Sequence, residues 1–119
     1  MCEQKNKAEL ELDTFENSAM ELIVSGGGAK SAYVNAIEYA RKGAFEEAVR
    51  CRKEAENLYE KAHDVHFAMI GREDLVPSTQ MEKLLLIHAE DQLNSAETFK
   101  ILSEEFIRLY QRINEMCEK

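Results

Sequence analysis

Apolar residues recur every three or four positions along most of the chain, a spacing that predicts amphipathic helices rather than strands. Three stretches follow this spacing, at about 10–42, 44–70 and 79–117. In the first, the repeating positions are Leu12, Phe15, Ala19, Leu22, Gly26, Ala29, Tyr33, Ala36 and Ala40. In the second they are mostly small residues, which allow a neighbouring helix to approach closely: Ala48, Cys51, Ala55, Leu58, Ala62, Val65 and Met69.

The ends of the predicted helices carry capping signals. Gly43 follows two basic residues and suits the left-handed conformation that ends many helices. Thr79, with Glu82 three residues later, forms a capping box that starts the third helix. We therefore expect a single helical domain over residues 1–119, with residues 1–9 frayed and a loop before Thr79.

Three consecutive glycines, Gly26–Gly28, interrupt the first predicted helix. Each costs about 1 kcal/mol relative to alanine in a helix interior. Either they divide this stretch into two helices, or they keep the helix thin so that a neighbouring backbone or a ligand can come close. The sequence leaves both interpretations open.

The third predicted helix combines an apolar second half with a polar interruption in its first half. Its stripe runs through Leu85, His88, Gln92, Ser95, Phe99, Leu102, Phe106, Leu109, Ile113 and Met116. Asp91 lies one turn from both His88 and Ser95. Because a polar group buried without a partner costs about 1–3 kcal/mol, polar residues on a buried stripe must satisfy one another, bind water or serve a function.

The predicted lengths of the helices differ. At the usual rise per residue, the third helix would be about 57 Å long and the second about 40 Å. The excess of the third helix would leave an apolar stripe in water unless other subunits covered it. We therefore predict an oligomer built on this helix.

Composition and charge narrow the class of protein. One proline and five glycines, among many Ala, Leu, Glu and Lys residues, indicate an all-α fold. The net charge of −8, without a cluster of basic residues, argues against nucleic acid as a partner and favours a basic protein surface. Three scattered cysteines suit a reducing compartment, and the N-terminus has no apolar signal region, so we expect a cytoplasmic protein.

His88 is the strongest candidate for a reactive residue. A lone histidine on an apolar helix is usually a satisfied core residue. Here, however, Asp91 could orient the imidazole, and Gln92 and Ser95 could supply hydrogen bonds. An imidazole held by one nitrogen presents the other as a nucleophile, as acyl or phosphoryl acceptance requires. No catalytic triad order or Gly-rich phosphate loop is recognisable, which disfavours a hydrolase or a nucleotide-dependent kinase.

The other two histidines, His63 and His66, lie three positions apart on the second helix. Glu60-x-x-His63 matches a unit found in di-iron bundles, but such sites need a second copy of the unit and further glutamates. A boundary location for His63 is therefore favoured over a metal ligand. A metal-storage bundle is the weakest of the alternatives.

Four segments, in this order and at this spacing, resemble motifs of the lactose/cellobiose (diacetylchitobiose) IIA proteins of the bacterial phosphotransferase system. Residues 22–31 are similar to I-x-x-S-G-x-A-R-S, and residues 42–48 to K-x-G-D-F-x-x-A. Residues 62–70 are similar to A-H-x-x-Q-T-x-L-I, and residues 86–93 to V-H-A-Q-D-H-L-M. Together they cover most of the chain.

This resemblance implies an up-down-up antiparallel three-helix bundle that assembles as a homotrimer, with the third helices near the axis. It also implies a phosphotransferase component, in which His88 accepts a phosphoryl group from the phosphocarrier HPr. His88 would pass that group to a cysteine of the cognate IIB component, during uptake of a disaccharide through the membrane IIC permease. Asp91 would bind a divalent metal at the axis, expected to be Mg²⁺ because hard carboxylate oxygens suit that ion. The sugar itself is not specified by the sequence.

The chain departs from these motifs at three places. Glu90 stands where Gln is usual, Gln92 where a second His is usual, and His66-Phe67 where Gln-Thr is usual. Glu90 would add negative charge beside an incoming anion, which predicts slower transfer or a different partner. We expect Gln92 and Ser95 to support His88 with hydrogen bonds. His66 is either a further donor or a boundary side chain.

The main alternative is a non-catalytic interaction module of tetratricopeptide-like type. Residues 36–48 have the small and aromatic pattern of one such hairpin. Only one copy is present, however, and such folds need stacked repeats to bury a core.

Overall fold

The computed structural model describes residues 14–118, and within this range every regular element is helical. Helix α1 spans Phe15–Arg41, α2 spans Phe45–Ile70 and α3 spans Gln80–Glu118. A short 3-10 turn at Glu73–Leu75 lies between α2 and α3. The prediction of an all-α chain with three main helices is confirmed. None of these helices is apolar over a length that could cross a bilayer.

The core is arranged in three layers along the bundle. The layer nearest the α2–α3 connection contains Phe15, Ala19, Leu22, Ala62, Val65, Met69, Leu75, Ala89 and Leu93. The middle layer contains Ala29, Tyr33, Ala55 and Ala96, and the last contains Ala36, Ala40, Ala48 and Ile107. From layer to layer, residue numbers rise along α1 and α3 and fall along α2. Helix α1 is therefore antiparallel to α2 and parallel to α3, which is the up-down-up order.

The helix ends follow the predicted capping chemistry, with one difference. Helix α1 begins later than expected, because Thr14 is extended and its hydroxyl accepts a hydrogen bond from the backbone N–H of Asn17 at 3.1 Å. The predicted frayed segment 1–9 and the repeating position Leu12 lie outside the described residues. Gly43 has a φ of 82°, the left-handed conformation expected after α1.

The capping box at the start of α3 is confirmed. The backbone N–H of Glu82 donates to Thr79 Oγ1 at 3.0 Å, and the backbone N–H of Thr79 donates to Glu82 Oε1 at 3.2 Å. Hydrogen bonds from Ser78 and Thr79 lower the pKa of the Glu82 carboxyl. These contacts fix where the helix that carries His88 begins.

Helix α1 continues without a break through Gly26–Gly28. A Cβ on Gly26 would lie 3.3 Å from the backbone carbonyl carbon of Gln92 and 3.3 Å from the backbone nitrogen of Leu93. Glycine thus lets the backbone of α1 approach the backbone of α3 at this level. Of the two interpretations of these glycines, the close approach of a neighbouring backbone is the one that holds.

Gly26→Ala should lower the free energy of unfolding by about 1 kcal/mol, as measured by urea denaturation. Overpacking typically costs about 1–3 kcal/mol, and the gain in helix propensity offsets about 1 kcal/mol of that cost. Gly27→Ala is the matched control, because its Cβ would make only an ordinary contact of 3.5 Å with Gln92 Oε1. Equal stability of the two variants would contradict the close approach.

Tyr33 is fully buried, and its hydroxyl makes no hydrogen bond within the described part of the chain. Burial raises the pKa of Tyr33 to about 12. Tyr33→Phe should therefore raise the free energy of unfolding by about 1 kcal/mol, because it removes a polar group that is desolvated without compensation. Thermal unfolding tests this prediction, with substitution of the exposed Tyr39 by Phe as a control. A lower melting temperature for Tyr33→Phe than for the wild type would contradict the prediction.

The face of α3 that packs into the subunit differs from the predicted stripe. Its buried residues are Ala89, Leu93, Ala96, Ser103 and Ile107. Leu85, Gln92, Ser95 and Phe99 are half-buried, whereas His88, Leu102, Phe106, Leu109, Ile113 and Met116 are exposed. The prediction that His88 lies on a buried stripe is therefore wrong for the subunit. The exposure of Phe106, Leu109, Ile113 and Met116 agrees with the expectation that the excess length of the third helix leaves an apolar stripe uncovered within one subunit. The residues of α3 that enter the core lie on an adjacent side of the helix.

Candidate functional site

His88 lies on the exposed face of α3, about two turns from the start of the helix. The next residue, Ala89, is fully buried in the core layer nearest the α2–α3 connection. The helix is thus held firmly on one side while the imidazole on the other side is accessible. An imidazole in this position can be reached by a group on another protein.

Asp91, Gln92 and Ser95 lie on the same side of α3 as His88, because positions three, four and seven residues apart share a helix face. Asp91 is exposed, and Gln92 and Ser95 are half-buried. The four candidate site residues that belong to α3 therefore share one side of the helix, with Asp91 and Gln92 one turn from His88 and Ser95 two turns, or about 10 Å, farther along the axis.

His66, the remaining candidate, faces a different group. Its Nε2 lies 2.9 Å from Glu90 Oε2, and this contact joins α2 to α3. Because two residues correspond to about 200° around a helix, Glu90 lies on the opposite side of α3 from His88. His66 and the carboxylate of Glu90 are thus directed away from the imidazole of His88. The expectation that Glu90 places its charge directly beside an incoming anion is not supported.

A groove between α1 and α3 starts one turn beyond His88, at Gln92. It has a volume of about 520 Å³ and is lined by Gly27, Lys30, Ser31, Val34, Asn35 and Gln92. Lys30 Nζ lies 6.0 Å from the centroid of the Phe99 ring, which directs this charge toward α3. Sequence reasoning did not assign Lys30 or Asn35 to a site. Their positions in the sequence were the one indication of a site: Lys30 lies within the first family motif, and Asn35 lies four residues after it.

His63 is exposed on α2, and its ring lies 6.3 Å from that of Tyr59. Within residues 14–118 there is no group of three or more His, Cys, Asp or Glu side chains that could hold a metal ion. This finding gives no support to the metal-storage alternative.

An apolar stripe accompanies His88 and Asp91 along the exposed side of α3, and we call it the α3 outer face. It consists of two residues before His88 and of five residues in the second half of the helix that recur every three or four positions, and each has between 37% and 73% of its surface exposed. They are Met81, Leu84, Leu102, Phe106, Leu109, Ile113 and Met116. Large exposed apolar residues on one side of a helix are typical of an interaction surface.

The chain is similar to known proteins over most of its length. Residues 17–111 match the family described as PTS system, lactose/cellobiose specific IIA subunit. The chain is 34% identical over 103 residues to the lichenan-specific phosphotransferase enzyme IIA component of Bacillus subtilis, covering 87% of this chain and 93% of that protein. It is 35% identical over 111 residues to the cellobiose-specific EIIA component of Lactococcus lactis, covering 90% and 91%.

A solved structure is similar as well. The PTS cellobiose-specific enzyme IIA from Bacillus anthracis superposes with a TM-score of 0.76 at 31% identity, covering 85% of this chain and 92% of that one. The sequence matches span nearly the full length of the relatives, so the similarity is not confined to one motif. The chain therefore belongs to the lactose/cellobiose-specific IIA subunit family of the phosphotransferase system.

Proposed function

We propose that this chain is a phosphocarrier in the uptake of a disaccharide of the lactose, cellobiose or chitobiose type. His88 accepts a phosphoryl group from phosphorylated HPr and passes it to a cysteine of the cognate IIB component, which serves the membrane IIC permease. The observation that carries this proposal is the exposure of His88 on a helix whose adjacent side, at Ala89, is packed into the core. A nucleophile that must meet two proteins in turn needs this combination of rigid support and access.

Each transfer exchanges one bond to phosphorus for another. In the first, a ring nitrogen of His88 attacks phosphorus, the N–P bond of the HPr phosphohistidine breaks, and its electron pair returns to that imidazole. In the second, the IIB thiolate attacks, the N–P bond to His88 breaks, and the electron pair returns to His88. Such steps depend mainly on in-line placement and charge stabilisation, which an exposed site between two proteins can supply.

The groups around His88 have separate proposed roles. Gln92 donates a hydrogen bond to a phosphoryl oxygen, since it lies one turn from His88 on the same helix face. Ser95, the other predicted donor, lies about 10 Å farther along the helix axis and is too distant to reach a phosphoryl group on His88 of the same subunit. Lys30 contributes positive charge from the groove that begins at Gln92. His66 does not contact the phosphoryl group in this proposal and acts only through Glu90.

We propose a homotrimer that uses the apolar second half of the α3 outer face, from Leu102 to Met116, beyond the turn that carries His88. Large apolar side chains spaced every three or four residues form the seam of helical coiled coils, and three copies of α3 packed together would cover them. Helix α3 has 39 residues, against 27 in α1 and 26 in α2, so much of its stripe cannot be covered within one subunit. The occupant proposed for this face is therefore the α3 helix of other copies.

A divalent cation, proposed to be Mg²⁺, fits the same assembly. Asp91 is exposed on the α3 outer face and presents hard carboxylate oxygens, which suit this ion. Three copies of Asp91 near an axis would otherwise repel one another. When bound, the ion would neutralise this charge; the residue of this chain that would hold it is Asp91.

The proposed relay is tested by following the mass of the intact protein. Incubation with phosphoenolpyruvate, enzyme I and HPr should add one acid-labile phosphoryl group per subunit. Addition of the IIB component should remove it. A protein that gains no phosphoryl group from HPr shown to be phosphorylated would overturn the proposal.

A further inference from the structure

The contacts between α2 and α3 are few compared with the contacts that each makes with α1. Helices α2 and α3 are therefore joined directly by few contacts, and several of these are polar. Near the middle of α3, Arg52 donates to Ser103 Oγ and to the backbone oxygen of Lys100, each at 3.3 Å. In the middle, Lys100 Nζ lies 4.8 Å from the centroid of the Tyr59 ring. Neither link is close to His88.

The contact between His66 and Glu90 is the described polar link between these helices at the level of His88. The two side chains are 22% and 44% exposed, so the contact is partly shielded from water. Glu90 follows Ala89, which is buried, and precedes Asp91 on the α3 outer face. A constraint on Glu90 therefore acts on the same helical turn that carries His88 and Asp91.

Both members of this contact are departures from the family motifs, which have Gln at each of the two positions. The positions are 24 residues apart in the chain, yet their side chains meet at 2.9 Å. A His–Glu contact and a Gln–Gln contact can each join the two helices with a hydrogen bond. The two departures therefore meet in one contact between the helices.

We infer that His66 and Glu90 act together as positioning residues that hold the His88 turn of α3 against α2 for phosphoryl transfer. This inference rests on the proposed function and deepens it, because it assigns a role to two residues that do not touch the phosphoryl group. His66 also binds the carboxylate of Glu90, and this contact directs the carboxylate toward α2 rather than toward the incoming anion.

The test is a double-mutant cycle read by the rate of phosphoryl transfer from HPr to His88. His66→Ala and Glu90→Ala should each slow the single-turnover rate two- to fivefold, the range expected for the loss of a partly exposed polar contact. The double alanine variant should be no slower than either single variant. The His66→Gln and Glu90→Gln double variant should recover at least half of the wild-type rate, because it restores a hydrogen bond between the helices.

A matched control is the ion pair between Glu21 and Lys61, which joins α1 to α2 at 2.8 Å. Replacing these residues with alanine should leave the transfer rate unchanged, even if the protein becomes less stable. Two results would overturn the inference: single alanine variants of the His66–Glu90 pair that transfer at the wild-type rate, or effects that add in the double variant. Loss of transfer in the wild-type protein would instead be a failure of the proposed function.

The positioning role can also be tested by a measurement that does not require phosphoryl transfer. The imidazole resonances of His88, measured by nuclear magnetic resonance, should shift in His66→Ala and in Glu90→Ala. They should stay unchanged in the Glu21 and Lys61 variants. Unchanged His88 resonances in all four variants would show that the pair does not position this turn.

Discussion

Replacing His88 with alanine should abolish phosphoryl acceptance from phosphorylated HPr, with a fall in rate of at least about 1,000-fold. The variant loses the ring nitrogen with which this chain bonds to phosphorus in the proposed relay. No neighbouring hydrogen-bond donor can replace that nucleophile. The protein should stay folded, because His88 is exposed and contributes little to the core. Transfer of radiolabelled phosphate from phosphoenolpyruvate through enzyme I and HPr measures the effect.

His63→Ala is the control for this experiment. His63 is also an exposed histidine on a helix, and its ring contacts Tyr59 rather than any residue of the candidate site. It should accept phosphate at the wild-type rate. Labelling of the His88→Ala variant at the wild-type level, or loss of labelling on replacement of His63, would remove His88 from the mechanism.

Leu109→Glu should dissociate the proposed trimer into monomers. Three carboxylates would be brought together in an apolar interface, where desolvation and mutual repulsion both oppose burial. Size-exclusion chromatography with light scattering should give about three times the subunit mass of 13.6 kDa for the wild type and the subunit mass for the variant.

Ile101→Glu separates this effect from the general cost of an added charge. Ile101 is 60% exposed and Leu109 is 51% exposed, but Ile101 lies outside the α3 outer face. This control should remain trimeric. A monomeric wild type, or a trimeric Leu109→Glu variant, would contradict the proposed assembly.

The fold could be predicted from the sequence because its determinants are local. The spacing of apolar residues, the capping box of Thr79 and Glu82, and the conformational preference of Gly43 each act within a few residues. The helices therefore begin and end close to the predicted positions. The start of α1 differs because Thr14, rather than an earlier residue, caps the helix.

The face of α3 that enters the core could not be predicted in the same way. Periodicity identifies an apolar stripe but not the surface that the stripe meets. Ala89 and Ala96 are too small to stand out in a hydrophobic pattern, yet both are fully buried in the core layers. His88 was consequently expected on a buried stripe and is instead exposed.

Contacts between distant positions were also beyond sequence reasoning. His66 and Glu90 were each recognised as departures from the family motifs, but nothing in the order of residues pairs them. The groove beside Gln92 was missed for the same reason, because Lys30 and Gln92 come together only when α1 packs beside α3.

The central claim is that His88 carries phosphate between two proteins. It is tested most directly by locating the phosphoryl group after reaction with phosphorylated HPr, using tandem mass spectrometry under conditions that preserve phosphohistidine. The account predicts one phosphoryl group, on His88, that disappears when IIB is added and reappears on an IIB cysteine. Phosphate on His63, on His66 or on no histidine of this chain would contradict it.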